Sequence, residues 1–462
     1  MRGGAKLSTI DCIAQSLSVG PIFSAAVIGS ALAGLSGGVG PFIVILTAIG
    51  IGCIGYVVSE LSKRYSGSGA VYELIAHTAG KTSGIFGAAV YYFAVLTLTV
   101  ALPIIGGIQL NGFVQSHMGT NIPWWVFGLV IVAFVTVLSL RGVSVSVKTQ
   151  LVIITLSVLP FLLLAVVIIA KGGATGNSLD GFNPNKIAEG GSVFKGLLFA
   201  ILMFVGFEVA ASLGEETENP KKSIPTAVLA TIGIVAVFYI VTQYVGNIGS
   251  GGPNKIPFDF VALSTEYVGR WLGILVEIAI ILDVLAIAIG FTATASRGLF
   301  TLSRDGLLPK KLAALNSRLI PSIATIAIAV IGVIVTLVTQ AKYGTTAGDA
   351  GPDALNGFFI LATTGGMLFC VTYVILCVGA IRHFVGVKNM LGIVLALIGG
   401  VTAAGGILAQ FIDGTAPVGD ALWGRHLGIA AVVVLGGWLA FLVSTRKDRV
   451  AAAAEHALQH AL

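Results

Sequence analysis

The sequence is poor in charge, because only 10% of its 462 residues are Asp, Glu, Lys or Arg. Soluble domains carry about a quarter charged residues, so a water-soluble fold of this length would lack the polar surface it needs. Apolar residues make up 56% of the chain. This balance argues against a soluble enzyme, a nucleic-acid-binding protein and a disordered scaffold, and it predicts a membrane protein with many spans.

Cysteine is also scarce, and its positions form no metal or disulfide pattern. Cys12, Cys53, Cys370 and Cys377 all lie in or beside apolar runs, and none belongs to a Cys-x-x-Cys motif. We therefore interpret them as small packing residues and predict no metal centre built from protein ligands. The sequence offers no nucleophile–base pair at membrane depth, so we predict that the protein is not an enzyme.

Long apolar runs are abundant. A spanning helix needs about 20 mostly apolar residues. Runs such as 126–138 and 151–170 are nearly unbroken and lack the alternation of membrane β-strands, which favours an all-α membrane protein. Twelve transmembrane helices are predicted, at 11–33, 41–62, 84–110, 123–140, 149–170, 194–213, 225–247, 269–297, 320–340, 355–380, 389–412 and 424–444.

Basic residues give these spans a direction, because cytoplasmic loops carry an excess of Lys and Arg. With the N-terminus inside, 19 of the 26 basic residues fall in cytoplasmic segments and the other 7 fall outside. An even number of spans returns the C-terminus to the cytoplasm. We predict a multi-pass protein of the cell membrane with a cytoplasmic N-terminus, residues 1–10, and a cytoplasmic tail, residues 445–462.

The first span contains helix breakers near its middle. Ser18, Gly20 and Ser24 are small residues around Pro21. Proline lacks an N–H and clashes with the preceding turn, so carbonyl groups before it lose their partners. In lipid such a break is tolerated where protein or a polar cavity satisfies the freed groups. A simple proline kink is the alternative explanation when this segment is taken alone.

The sixth span has a matching feature, with Gly206 and Glu208 inside an apolar stretch. A charged side chain at this depth costs at least about 2.5 kcal/mol, so Glu208 needs a partner or a wet cavity. The two breaks occupy corresponding spans if five helices repeat as five with opposite direction. This pattern is typical of inverted-repeat secondary transporters with a midplane site. It predicts a first repeat at 11–170, a second at 194–380 and two extra helices at 389–444.

Several motifs resemble those of the amino acid–polyamine–organocation permeases, amino acid permease type. They are Phe-Val-Gly-Phe-Glu at 204–208, Glu-Glu-Thr at 215–217 and Asn-Pro-Lys-Lys at 219–222. Two further stretches, at 60–65 and 303–309, are similar to the segments after the second and eighth spans of that family. The resemblance covers residues 10–445. It implies a five-plus-five inverted repeat with two extra C-terminal helices that moves amino acids or related amines by alternating access.

The resemblance also implies a substrate site. In the family, the substrate carboxylate binds amides at the first-helix break, and the ammonium binds carbonyls there and in the sixth helix. Helix termini suit these roles, since N-termini present N–H groups to anions and C-termini present carbonyls to cations. Carried over to this sequence, the contacts are Ser18, Val19, Gly20, Pro21, Ile22, Phe23 and Ser24 in the first helix, and Met203, Phe204, Val205, Gly206 and Phe207 in the sixth.

One departure from the family concerns the substrate. The chain has Val-Gly-Pro at 19–21 where Gly-Ser-Gly is common, and Pro21 removes one amide donor from the predicted carboxylate site. An amino acid remains the first prediction, while a polyamine or other organic amine is the alternative. The predicted partners are this small molecule and the lipid bilayer, without nucleic acid. The oligomeric state is left open.

A second departure concerns the coupling ion. Many proton-coupled members of the family have a lysine midway along the fifth helix, where this sequence has Ser157. Glu208 or Asp283 is a candidate proton carrier, because both are carboxylates at membrane depth. Glu277, nearer the outer end of the eighth span, is interpreted as a structural link between helices.

Na⁺ is the other candidate coupling ion, and no further cofactor is expected. Oxygen atoms near Gly20, Thr292 and Ser296 are the predicted ligands of such an ion. The alternative for the two hydroxyls is a hydrogen bond to their own helix. On the cytoplasmic side, the acidic residues of 215–218 are expected to pair with Arg297 or Arg304 and close an inner gate, and a solvated charged loop is the alternative.

The predicted function is thus ion-coupled import of amino acids by a secondary active transporter. An importer or exchanger of organic amines is the alternative, and an intramembrane enzyme or a channel is a remote one. A channel would need repeated pore-lining rings, usually from oligomer symmetry. The sequence contains two non-identical halves with one break each instead.

Overall fold

The fold is described from a computed structural model that covers residues 6–17, 20–65, 71–141, 143–214, 216–252, 257–344, 352–412 and 414–445. These residues are almost entirely helical. Within them, β pairing is limited to two isolated bridges, Leu7 with Thr217 and Leu315 with Pro321. The predicted all-α class is confirmed, whereas most of the predicted N-terminal segment and the tail beyond Thr445 lie outside the described residues.

The first half of the chain forms eight α-helices, and the first transmembrane segment is divided among three of them. A π-helical turn, Ser24–Ile28, joins α2 to α3, so the helix that restarts at Pro21 continues without interruption to Ser36. The helices are α1 (Thr9–Ser16), α2 (Pro21–Phe23), α3 (Gly29–Ser36), α4 (Gly40–Ser62), α5 (Val71–Ala79), α6 (Lys81–Met118), α7 (Trp124–Ser139) and α8 (Val143–Lys171).

The second half also forms eight α-helices. Its first transmembrane segment is broken as well, since α9 is followed by a short 3-10 helix, Val209–Leu213. The helices are α9 (Val193–Phe204), α10 (Pro220–Ser250), α11 (Phe260–Tyr267), α12 (Arg270–Arg304), α13 (Ser322–Tyr343), α14 (Pro352–Gly386), α15 (Met390–Ala409) and α16 (Trp423–Thr445).

Every predicted span coincides with a helical segment, with one difference in length. Over the described residues, 11 helical segments are long and apolar enough to cross a membrane. The remaining predicted span, 123–140, corresponds to α7, which has only 16 residues. At 1.5 Å per residue, α7 is about 24 Å long, and it needs local thinning of the bilayer or polar flanks to reach both surfaces.

Burial separates a central group of helices from a peripheral group. In the segment Val193–Leu213, 94% of the most apolar window is buried, and in α6 the value is 83%. The corresponding values are 28% for α15 and 17% for the segment that contains α16. The two broken segments therefore lie inside the helix bundle, where neighbouring helices can satisfy their freed backbone groups. The exact limits of the two repeats stay a prediction.

Candidate functional site at the two helix breaks

The break in the first transmembrane segment is built around Gly20. This residue has a φ of +62°, in the left-handed region that favours glycine, and it precedes the helix that restarts at Pro21. Its N–H donates to the carbonyl of Leu17 at 3.0 Å. A Cβ at this position would overlap the side chain of Ile287 on α12. Glycine is thus required both by the backbone conformation and by the close approach of α12.

The restarted helix exposes backbone amides that a carboxylate of α12 binds. The first amides of a helix have no partner within it, and proline at the first position supplies none. The Oδ2 atom of Asp283 accepts hydrogen bonds from the backbone N–H of Ile22 at 2.9 Å and of Phe23 at 2.8 Å. The Oδ1 atom of Asp283 has no hydrogen-bond partner within the described structure, although the residue is fully buried. A side chain of the protein therefore fills the predicted position of the substrate carboxylate.

The break in the sixth transmembrane segment is built around Gly206, which has a φ of +115°. The carboxylate of Glu208, two residues later, folds back and accepts from the Gly206 N–H at 3.2 Å. The hydroxyl of Tyr373 on α14 donates to the same oxygen, Oε2, at 3.1 Å. Glu208 is fully buried, and its other oxygen has no hydrogen-bond partner within the described residues.

Two side-chain hydroxyls connect the breaks to their surroundings. Ser16, at the end of α1, donates to the carbonyl of Phe207 at 2.8 Å, so the two broken segments are joined directly. Tyr239 on α10 donates to the carbonyl of Met203 at 2.7 Å and also hydrogen-bonds with the side chain of Ser24. The carbonyls freed at the sixth-helix break are therefore partly satisfied by these two hydroxyls.

A small cavity of about 40 Å³ lies between the two breaks. It is enclosed by the first, third, sixth, eighth and tenth transmembrane segments, and Ser24 is the one polar residue that lines it. Phe23 packs edge-on against Phe358 on one side of the cavity, with ring centroids 5.7 Å apart. One water molecule needs about 10–15 Å³ of such space, so the cavity has room for a few waters and must widen before an organic substrate can enter.

The structure brings together most of the predicted site residues. Gly20 faces Asp283, while Phe23, Ser24 and Val205 line the cavity. Ser18 and Val19 lie outside the described residues. The predicted contacts that are buried at or beside the breaks are Gly20, Pro21, Ile22, Phe23, Ser24, Met203, Phe204, Val205, Gly206, Phe207 and Glu208.

Thr292 and Ser296, two of the residues predicted to hold Na⁺, lie one helical turn apart on α12, and their surroundings differ. Ser296 donates to the carbonyl of Ala293 on its own helix at 3.0 Å. Thr292 lines a separate cavity between α6, α7, α12 and α13, to which the first transmembrane segment contributes no residue. Ser157 on α8 is buried, and its hydroxyl has no hydrogen-bond partner within the described part of the chain. The coupling roles of these residues stay predictions.

An ion pair joins the two broken segments to α12 on the side that the sequence predicts to be cytoplasmic. Arg297 lies 3.2 Å from Glu216, and their side chains are 5% and 18% exposed. The backbone of Glu216 also accepts from the N–H of Leu7 at 2.9 Å, so the segment before α1 is held in the same junction. Arg304 lies against the neighbouring Asp305 at 3.6 Å. The predicted pairing with Arg297 is present, whereas Glu215 lies outside the described residues.

On the side that the sequence predicts to be outer, Glu277 pairs with His117 at 2.9 Å, which links α12 to α6. This contact agrees with a structural interpretation of Glu277. Two functional candidates were missed by sequence reasoning, namely Tyr239 and Tyr373. A tyrosine near the middle of an apolar span was the available signal, because a buried phenol hydroxyl usually finds a hydrogen-bond partner.

Comparison with known proteins agrees with this architecture. The sequence model described as "Amino acid permease" matches residues 9–438, which is nearly the whole chain. The chain belongs to the amino acid permease family. Its members are transporters and not enzymes, so the prediction that this protein is not an enzyme is confirmed.

Curated relatives from bacteria are similar at low identity. The chain is 25% identical to the branched-chain amino acid permease BcaP of Lactococcus lactis over 358 residues, which is 71% of this chain and 75% of that protein. It is 24% identical to the lysine-specific permease LysP of Lactococcus lactis over 294 residues, or 57% of this chain and 53% of that protein. The chain is also 24% identical to BcaP of Bacillus subtilis over 56% of this chain and 58% of that protein.

Solved structures share the fold. A mutant of the Eremococcus coleocola manganese transporter matches with a TM-score of 0.56 at 14% identity, over 96% of this chain and 95% of that one. The same transporter in complex with an aromatic bis-isothiourea substituted compound matches with a TM-score of 0.53. At this identity the likeness concerns the fold alone, and it confirms the predicted transporter fold class.

Proposed function

We propose that the protein is a secondary active transporter that imports an amino acid or a related organic amine across the cell membrane by alternating access. The observation that carries the proposal is the pair of broken helices around one small, apolar cavity. Broken helices at this depth are stable only where protein or a wet cavity satisfies their backbone groups, and transporters use such places to bind substrate.

The cavity favours a substrate with an apolar side chain or tail. Eleven of its twelve lining residues are apolar, and Ser24 is the exception. The first relative described above is named for branched-chain amino acids, which have side chains of this kind. An apolar amino acid is therefore one candidate substrate, and an apolar amine without a carboxylate is the other. The second candidate is favoured by the contact of Asp283 with the amides of Ile22 and Phe23.

Binding of a substrate is tested by a thermal-shift screen of the purified protein against amino acids and amines, with and without Na⁺. A ligand that binds the folded state raises the melting temperature in a concentration-dependent way. Each ligand that stabilises the protein is then assayed for uptake into proteoliposomes. The proposal expects at least one amino acid or amine to pass both tests. Failure of every such compound in both assays would contradict it.

For the coupling ion, we propose a proton carried by Glu208. This carboxyl group is buried at the sixth-helix break and has one oxygen free of hydrogen bonds within the described structure. A buried carboxyl group can take up and release a proton as the cavity opens to each side. Support for Na⁺ near Gly20 is weaker, because Ser296 bonds to its own helix and Thr292 lines another cavity.

Proton coupling through Glu208 is tested with the variant Glu208→Gln. The amide keeps an acceptor for Tyr373 but cannot ionise, so we expect an inward proton gradient to stop stimulating uptake while the protein remains in the membrane. Glu277→Gln is the matched control, since it also removes a carboxylate but lies at the outer pair with His117. Uptake by Glu208→Gln that still follows the proton gradient would refute the assignment, and a requirement for Na⁺ would favour the other ion.

A further inference from the structure

The amides of the restarted helix are already bound by a group of the protein. Asp283 accepts from the N–H groups of Ile22 and Phe23 at 2.9 and 2.8 Å, and Pro21 has no N–H to offer. A substrate carboxylate would need these same donors. It would also have to approach the buried carboxylate of Asp283 at close range, and two like charges in such a site repel strongly.

Asp283 has no oppositely charged partner in the described structure. Its Oδ1 atom accepts no hydrogen bond there, and no described Lys, Arg or His forms an ion pair with it. A buried charge without a partner is costly, and a cationic ligand would remove that cost. When Asp283 is ionised, its carboxylate places one net negative charge at the break, and one ammonium group would neutralise that charge.

The cavity next to this charge is suited to an apolar tail and offers nothing for a second charge. Ile287 lies one helical turn after Asp283, and it lines the cavity together with Phe23 and Phe291. No carboxylate is among the lining residues. A polyamine would place a second ammonium among these apolar side chains, where nothing compensates for its lost hydration.

From these contacts we infer that Asp283 takes the place of the substrate carboxylate and that the site selects primary monoamines with a short aliphatic or aromatic tail over amino acids. The ammonium group binds the Oδ1 atom of Asp283, and the tail occupies the widened cavity beside Ser24. This inference rests on the proposed transport function and names its substrate class. Asp283 is thus a residue that determines specificity.

The inference is tested with three ligands that share one branched aliphatic tail: leucine, 3-methylbutylamine, which lacks the carboxylate, and 4-methylpentanoate, which lacks the amine. A fourth ligand, 1,5-diaminopentane, adds a second charge. Thermal shift and uptake are measured on the full-length protein in detergent and in proteoliposomes. We expect 3-methylbutylamine to bind at least roughly tenfold more tightly than each of the other three, as for one charge-assisted hydrogen bond.

The variant Asp283→Asn tests whether the charge of Asp283 determines substrate specificity while its hydrogen bonds to the first helix are kept. Its amide oxygen can still accept from Ile22 and Phe23, but the negative charge is lost. We expect the affinity for 3-methylbutylamine to fall at least roughly tenfold while leucine binding is unchanged or improved. The control Glu277→Gln, also on α12, should leave both affinities unchanged. The comparison of ligands on the unaltered protein decides the matter even if Asp283→Asn does not fold.

The outcomes distinguish this inference from the proposed function. Tighter binding of leucine than of 3-methylbutylamine would overturn the inference and leave the transport function intact. Tighter binding of 1,5-diaminopentane would overturn it as well, in favour of a polyamine. Unchanged binding of 3-methylbutylamine by a folded Asp283→Asn protein would show that the carboxylate of Asp283 does not bind the ammonium group. Failure of all four ligands, together with the wider screen, would refute both the inference and the transport function.

Discussion

Single residues determine where the first transmembrane segment can break. Gly20 adopts a left-handed conformation, and Asp283 binds the amides that follow it. The sequence predicted the break from Gly20 and Pro21, because the special backbone requirements of these residues are local. The partner of the amides could not be predicted, since Asp283 is about 260 residues away in the sequence and meets them only through the packing of α12.

For this single residue we predict that the substitution Gly20→Ala disables the transporter. A left-handed conformation costs about 1–3 kcal/mol for a residue other than glycine, and the added methyl group would also displace Ile287. We expect a lower melting temperature and the loss of ligand-induced stabilisation. Gly34→Ala is the control, because a Cβ there meets only Pro257 at ordinary contact distance. Equal behaviour of the two variants would show that the break tolerates a side chain.

The elements of the fold were predicted to different degrees. Long apolar runs specify spanning helices, so each predicted span corresponds to a helical segment. The helices α5 and α11 were not predicted, because they have only 9 and 8 residues and lie outside the spans. Proline and glycine indicated the two breaks, whereas the contact of Tyr239 and Ser16 with the sixth-helix carbonyls depends on tertiary packing.

The junction formed by Leu7, Glu216 and Arg297, on the side predicted to be cytoplasmic, is the element whose movement can be tested directly. Glu216 pairs with Arg297, and next to it the Cys12 sulfur lies 3.3 Å from the hydroxyl of Thr217. Glu216→Gln removes one charge from a largely buried pair and leaves Arg297 without its partner, which weakens the junction. We therefore expect Cys12, which is fully buried in the closed junction, to react several times faster with a maleimide. The modified cysteine is identified by mass spectrometry.

Glu60→Gln is the control for this experiment, since Glu60 forms a more exposed pair with Lys63 one helical turn away. Such surface pairs contribute little, so this change should leave the labelling rate of Cys12 as it is. An unchanged rate in Glu216→Gln as well would mean that the ion pair does not hold the inner side closed.

The whole molecule arranges its helices from a buried centre to a lipid-facing rim. The sixth transmembrane segment and α6 are the most buried, with 94% and 83% of their most apolar windows buried, while the values for α15 and for the segment that contains α16 are 28% and 17%. The low charge content of the sequence predicted this membrane-embedded class, and the few charged residues at depth, Glu208 and Asp283, lie at the two breaks. The Na⁺ ligands were less predictable, because a hydroxyl in a helix can always bond to its own backbone, as Ser296 does.

At this scale we predict that both termini face the cytoplasm, from the excess of basic residues in the predicted cytoplasmic loops. A green fluorescent protein fused to the C-terminus should fluoresce, and an alkaline phosphatase fused there should be inactive. The opposite pattern is expected for fusions after Tyr343, in the predicted outer loop that follows α13. An active phosphatase at the C-terminus would show that the topology is the reverse of the predicted one.

The bond between Asp283 and the restarted helix has a kinetic consequence for the transport cycle. Backbone amides without a hydrogen-bond partner would raise the free energy of the carrier whenever it reorients without substrate. Here the carboxylate of Asp283 satisfies the amides of Ile22 and Phe23 without any contribution from a substrate. The amides of Ile22 and Phe23 therefore add no cost of their own when the carrier returns without substrate, and the buried charge of Asp283 is the cost that remains. Since that return step is the one that an obligate exchanger lacks, the charge state of Asp283 would decide between net uptake and exchange.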